Sequence, residues 1–159
     1  MAVTRRRFLY LAAAAAAGTA AAPAAWALLG RAPVEVGPPT IRYGRDRCDA
    51  CGMIISDPRY AAAAWSGASA SRYDDIGCLI GRMGQALASG KAAAYVHDAS
   101  SQEWLEAESA VFVRSPAVHT PMASGIAAYA TGEVAARAHP GAELLTFQAL
   151  LGTGGRAPS

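Results

Sequence analysis

Tyr60-Ala61-Ala62-Ala63-Ala64-Trp65-Ser66-Gly67-Ala68-Ser69-Ala70-Ser71-Arg72-Tyr73-Asp74-Asp75-Ile76-Gly77-Cys78-Leu79-Ile80 is the stretch that decides the fold. Residues 60–65 form an apolar run closed by Ser66-Gly67, and residues 69–73 read as the returning strand of a hairpin. At Ile76 the period changes. Ile76, Leu79, Ile80, Met83 and Leu87 recur at helical spacing, with Asp74 or Asp75 placed to cap the start and Ser89-Gly90 to end the helix. Residues 93–97 follow as a short strand, then a turn at Asp98-Ala99-Ser100-Ser101. Residues 103–114, with Trp104, Leu105, Val111, Phe112 and Val113, read as strand or mixed structure. Strands and a helix alternating in this way define an α+β class.

A second pass along the chain echoes the first. Pro121-Met122 precedes a strand-like segment at residues 125–131, residues 134–138 read as another strand, and residues 142–151 as an amphipathic helix. On this alignment Met53 and Met122 occupy equivalent places in two halves.

Upstream, Thr4-Arg5-Arg6-Arg7-Phe8-Leu9 opens an uncharged, alanine-rich run that reaches Gly30. A basic start, an apolar middle and Ala25-Trp26-Ala27 as a cleavage site describe an export signal of the twin-arginine type. A retained membrane anchor is the competing reading of the same run, although alanine contributes little to insertion. Either way the remainder is expected outside the cytoplasm, in the periplasm or its equivalent. Three of the 14 basic residues lie in this leader, leaving 11 against 12 acidic ones. That balance excludes the electrostatic footprint of a nucleic-acid binder. The expected organisation is a signal segment over residues 1–27, a Pro-Pro linker over 28–45, a first domain over 46–94, a second over 95–151 and a frayed tail over 152–159.

The chemistry concentrates in Cys48-Asp49-Ala50-Cys51-Gly52-Met53. A Cys-x-x-Cys pair in an exported chain permits a disulfide, a redox couple or half of a zinc site, and Cys78 leaves the thiol count odd. The Gly, Ile and Asp-Pro that follow are poor helix material, which weakens the redox reading. Met53 favours a soft ion, because a neutral thioether binds copper(I) well and harder ions weakly. Met122, beside Pro121 and outside any regular apolar period, is a second candidate thioether. His119, three residues before it, is the best-placed imidazole. His97 reads as part of a turn cap and His139 as exposed. Cys78 reads first as a small buried hydrophobe on the first helical turn and second as a ligand that with a histidine completes a zinc set, and Met83 reads as core. The chain carries no Gly-x-Ser-x-Gly turn, phosphate loop or His-Glu-x-x-His pattern, so enzyme readings have little to rest on.

Taken in order, Cys48-x-x-Cys51-Gly52-Met53-Ile54-Ile55, Tyr73-Asp74-Asp75-Ile76-Gly77-Cys78, Tyr95-Val96-His97-Asp98 with Trp104 and Ala107, and Thr120-Pro121-Met122 before Gly125-Ile126-Ala127 resemble the NosL family. These are accessory proteins of nitrous oxide reductase. The resemblance implies a periplasmic, non-enzymatic copper(I) chaperone serving the copper–sulfur centre of that reductase, with the reductase and its maturation transporter as partners. It also implies two similar small domains of ββαβ topology, and copper ligands at Cys51, Met53 and Met122, with Cys48 assisting and His119 as the added histidine. Two departures stand out. The lipid-anchoring cysteine common at the end of the family's signal is missing, and Ala123 stands where the family usually shows glycine.

Overall fold

The structure, a computed structural model, describes residues 37–153. The leader, residues 28–36 of the expected linker and the tail from residue 154 lie outside the described residues. Elements run in the order β1 (Ala62–Ser66), β2 (Ser69–Tyr73), α1 (Ile76–Ala88), β3 (Ala93–His97), β4 (Trp104–Glu106), β5 (Val111–Arg114), β6 (Ile126–Tyr129), α2 (Gly132–Ala138), β7 (Leu144–Leu145) and α3 (Phe147–Gly152).

The opening stretch folds as its pattern dictates. β1 and β2 pair antiparallel from Ala62↔Tyr73 to Ser66↔Ser69, and Gly67 takes the left-handed φ of +58° that the two-residue turn requires. α1 starts where Asp75 accepts the Gly77 N–H, so the cap falls on the second of the two aspartates. The helix returns the chain to β3, which lies antiparallel beside β1, and β4 extends the sheet to the order β2-β1-β3-β4. Alanine is a poor strand former, yet Ala62, Ala63 and Ala64 are wholly buried in β1. Their small side chains let the layers on either side of the strand approach closely, so packing outweighs propensity here.

The second sheet has the order β6-β5-β7, again antiparallel, with α2 between β6 and β7. β5-β6-α2-β7 therefore repeats the ββαβ order of β1-β2-α1-β3, and the α+β class with two such units is borne out. The alignment of the halves is not the expected one. Residues 134–138, read as a strand, belong to α2, because the Thr131 hydroxyl accepts the Val134 N–H, Glu133 sits in the first turn and alanines fill the helix. Within residues 142–151, Leu144–Leu145 pairs with β5 before Thr146 caps the short α3. The second unit thus begins at Val111, ahead of Met122, which lies in the β5–β6 connection. Met53 precedes its hairpin while Met122 lies inside one, so their places are not equivalent.

One core runs through both sheets: Tyr73, Ile76, Leu79 and Val96 from the first join Phe112 and Ile126 from the second, with Phe147 and Leu150 of α3. Phe112 and Phe147 stack with ring centroids 5.7 Å apart. The expected boundary at 94/95 falls within β3, and the first sheet continues to Glu106. Residues 37–45 of the expected linker also join the folded body. The Trp65 indole donates to the Gly37 carbonyl, Arg72 Nε donates to the Thr40 carbonyl, and Ile41 is buried. Among the described residues no helix is long and apolar enough to cross a membrane.

Asp98 fastens the two units. Its Oδ1 accepts from Ser100 and Ser101 N–H and its Oδ2 from Ala130 N–H, while Ala99 N–H donates to the Ala128 carbonyl. His97 completes the turn: its Nδ1–H donates to the Gln102 carbonyl, the Tyr43 hydroxyl donates to its Nε2, and its ring lies 3.7 Å from that of Trp104. Burial would raise the Asp98 pKa, but the backbone donors outweigh it and hold the carboxyl below the usual range. A depressed native pKa stabilises the fold above the unfolded value, about 3.9, and that stabilisation is lost as pH falls through the native one. Asp98→Ala strands three N–H groups, so chemical denaturation at neutral pH is expected to show a loss of about 3 kcal/mol. The gap between variant and parent should narrow as the pH is lowered below about 4.

Candidate metal centre

The cysteine motif forms a tight knuckle. Arg47 and Ile54 bridge antiparallel, Cys48 N–H donates to the Met53 carbonyl, and Ile55 N–H donates to the Asp46 carbonyl. Gly52 closes the loop: its N–H donates to the Cys48 carbonyl, and its φ of +78° is one an L side chain rarely takes. The knuckle is fixed to β2 by a reciprocal pair, Asp49 N–H to the Arg72 carbonyl and Arg72 N–H to Asp49 Oδ2. Both thiols are thereby turned toward the start of α1.

There the chain supplies two further ligands. The sulfurs of Cys48, Cys51 and Cys78 and a carboxylate oxygen of Asp74 all lie within 4.8 Å of one another. All three cysteines are free thiols; Cys48 is buried, and Cys51 and Cys78 are partly exposed. The Cys51 thiol donates to Asp74 Oδ1 at 3.3 Å. Asp74 is 2% exposed, and its Oδ2 has no hydrogen-bond partner among the described residues. Burial, together with the neighbouring Cys48 thiol and the Asp74 carboxylate, pushes Cys51 up from the ordinary thiol range, against a lowering hydrogen bond from the Met53 backbone. Cys78 is pushed well above it, first by burial and then by the negative charge of Cys48, Cys51 and Asp74. Four acidic groups this close cannot all ionise without a cation among them. The cluster therefore has the character of a metal site whose thiols release protons when an ion enters.

Of the residues expected from sequence, Cys48 and Cys51 enter this cluster and His119 does not. His119 is exposed in the β5–β6 connection, and Met53 and Met122 are 49% and 43% exposed. Cys78, expected as a small buried hydrophobe, presents its thiol to the other two cysteines instead. Asp74 and Asp75 were better explained as caps than as ligands of a hard ion, and the capping falls to Asp75 alone. The adjacent pair carried a signal: only one aspartate can cap, and the other must find separate company.

The wholly buried Asp75 carboxylate also holds the Met122 loop. Its Oδ2 accepts from the Thr120 hydroxyl at 2.7 Å and from Met122 N–H at 3.0 Å. The Thr120 hydroxyl in turn accepts from Ser124 N–H, and Ala123 N–H donates to the Thr120 carbonyl. This turn leaves Ala123 at a φ of +54°, a left-handed conformation that glycine adopts freely, which is the physical content of its departure from the family pattern. The loop sits so close to α1 that a methyl group on Gly77 would lie 2.5 Å from Ser124 Cβ. Met122 is thus secured to the helix start that carries Asp74 and Cys78.

Two ββαβ units with thiols and a carboxylate gathered at the first helix define an α+β protein equipped to hold a metal ion. A family model described as NosL matches residues 40–150, and this chain belongs to the NosL family. The solved structure of the copper chaperone NosL from Shewanella denitrificans superposes with a TM-score of 0.59 at 16% identity, covering 70% of this chain and 95% of that one. The fold is the same. No curated protein matches the sequence.

Gly77→Ala is expected to cost about 1–3 kcal/mol in denaturant unfolding, because neither backbone can retreat without breaking the Asp75 bonds. It should also shift the Met122 amide resonance. With their pKa values raised, Cys51 and Cys78 should alkylate slowly at neutral pH in the native, metal-free protein. The rate should keep climbing past pH 9.0, the ordinary thiol value, because the reactive thiolate forms only above it. Mass spectrometry of iodoacetamide-treated protein across pH reads this out, with the unfolded chain as reference.

Proposed function

We propose that this chain is an exported copper(I) chaperone that delivers its ion to nitrous oxide reductase, working with the maturation transporter of that enzyme. The observation that carries the reading is the joining of a thiol cluster to exposed thioethers. Cys51 belongs to the cluster, Met53 stands two residues beyond it on the knuckle, and Met122 is tied through Asp75 to the helix start that bears Cys78. Cys51 serves as the anionic ligand and Met53 and Met122 as neutral ones, with Cys48 assisting and His119 at the loop as an auxiliary nitrogen donor. A neutral, half-exposed thioether suits a carrier, because it holds a soft ion without enclosing it and is readily exchanged for a partner's ligand. Family membership and the copper chaperone with the same fold support this assignment.

The twin-arginine-like leader fits the same picture, since that route carries folded proteins and allows the thiols to be loaded or protected before they meet an oxidising compartment. A thiol–disulfide exchange role draws little support. A redox-active thiol needs a lowered pKa, and burial pushes Cys51 the other way.

Titration of the reduced protein with copper(I) against a chromogenic chelator is expected to give one ion per chain. Cys51→Ser should abolish binding, and Met53→Ala and Met122→Ala should each weaken it by about tenfold or more, the scale of a lost tuning contact. Equal affinity in all three variants would refute the ligand set. Delivery is tested by accumulation of reductase lacking its copper–sulfur centre in cells deprived of this chain.

A further inference from the structure

We propose that Cys48 and Cys78 are a redox pair in the metal-free chain: a disulfide forms between them, ties the knuckle to α1 and leaves Cys51 as the one reduced thiol. The proposal rests on the copper(I) reading for the task left to Cys51, and not for the bond itself.

The arrangement of the thiols carries it. All three are free, and their sulfurs lie within 4.8 Å of one another. Any two need to approach by less than about 3 Å to reach the disulfide bond length of about 2.05 Å. Cys48 is central, because Cys51 and Cys78 each have its thiol as a hydrogen-bond neighbour. The choice is therefore which of the two it joins. Cys51 is held elsewhere: its thiol donates to Asp74 Oδ1 at 3.3 Å, and the Met53 backbone donates to its sulfur. Joining Cys48 would turn that sulfur away from both. Cys78 has no hydrogen-bond partner but Cys48 among the described residues, so its sulfur turns at little cost. A bond from Cys48 to Cys78 also closes a loop that contains β1, β2 and the start of α1. Such a loop constrains the unfolded chain far more than the short ring within the knuckle, so this pairing stabilises the fold.

The oxidant is itself a disulfide, the class of reagent that an oxidising compartment holds. The partly exposed Cys78, as thiolate, attacks one sulfur of that disulfide and releases the other as a thiolate. The Cys48 thiolate then attacks the Cys78 sulfur of the mixed disulfide and releases the remaining oxidant thiolate. Two cysteine thiols lose two protons and two electrons, and the oxidant takes them up as two thiols. Cys51 is then left without a neighbouring thiol to pair with, and burial that keeps it protonated slows its own oxidation. One thiolate and two thioethers remain for copper(I), a soft set that needs neither of the other cysteines. Cys48 then assists as half of a covalent brace, and the odd thiol count is the count this division requires.

The test incubates the reduced, metal-free, full-length protein with excess glutathione disulfide, then alkylates it with iodoacetamide and digests it with trypsin. Cleavage after Arg47, Arg59, Arg72 and Arg82 puts Cys48 and Cys51 in peptide 48–59 and Cys78 in peptide 73–82. The expected product joins the two peptides and carries the alkyl group on Cys51. A ring closed within the first peptide, an alkyl group on Cys48 in the joined pair, lasting glutathione adducts or three alkylated cysteines overturns the proposal. This measurement needs no variant. Oxidised Cys51→Ser should give the same joined peptides and, like the parent, a higher urea midpoint than its reduced form. Cys78→Ser should divert Cys48 to Cys51, so that oxidation abolishes the copper(I) binding that the oxidised parent keeps. Copper(I) binding by oxidised Cys78→Ser overturns the protection of Cys51. Joined peptides from a parent chain that takes no copper(I) leave the disulfide standing and defeat the copper reading.

Discussion

A single wholly buried carboxylate sets the geometry on which the rest of this molecule's chemistry depends. Asp75 spends one oxygen on the first turn of α1 and the other on Thr120 and the Met122 amide. The first bond fixes where the helix begins, and so where Asp74 and Cys78 emerge. The second fixes where a loop of the other sheet rests. Each donor is worth something like 1–3 kcal/mol when the acceptor is charged, and together they compensate the cost of burying an ion. Side chains separated by 47 residues between Asp75 and Met122 are thereby held in one neighbourhood. Gly77 enforces the same closeness from the backbone side, because only a hydrogen fits against Ser124.

The first half of the chain was legible because its local signals agree with one another. Residues 69–73, 76–87 and 93–97 carry turn chemistry, helical period and caps that all point the same way, and the elements fall at or within one residue of the expected bounds. The second half misled because its segments are short and alanine-rich. Residues 134–138 have the apolarity of a strand but the caps of a helix, and the Thr131 hydroxyl decides the matter. Leu144 and Leu145 fit a helical stripe, yet an edge beside β5 was open to them. Topology, read as an echo, proved sounder than the alignment on which the echo was first drawn.

The site was half legible. Cys48 and Cys51 announce themselves by spacing. Cys78 does not, because a cysteine one turn into an amphipathic helix looks like any other small core residue, and its company is decided by the knuckle folding across from a different segment. Asp74 was hidden by its neighbour for a similar reason: capping explains an aspartate at a helix start so well that a second one is given the same role. In both cases the missing information is long-range, and periodicity carries none of it.

The two ββαβ units have the same strand order, yet of the candidate metal-holding residues only Cys78 sits in a repeated element, on α1, and the rest come from outside the repeat or from a connection within it. The knuckle precedes β1, and the Met122 loop interrupts the hairpin of the second unit. Among the described residues, repetition of the framework has therefore not produced a second thiol cluster. The first unit and the knuckle before it supply the thiols, and the second unit supplies a single arm that bonds to Asp75 at the start of α1. A change of metal preference need only be written in that knuckle, that arm and the start of α1, while both sheets remain as they are.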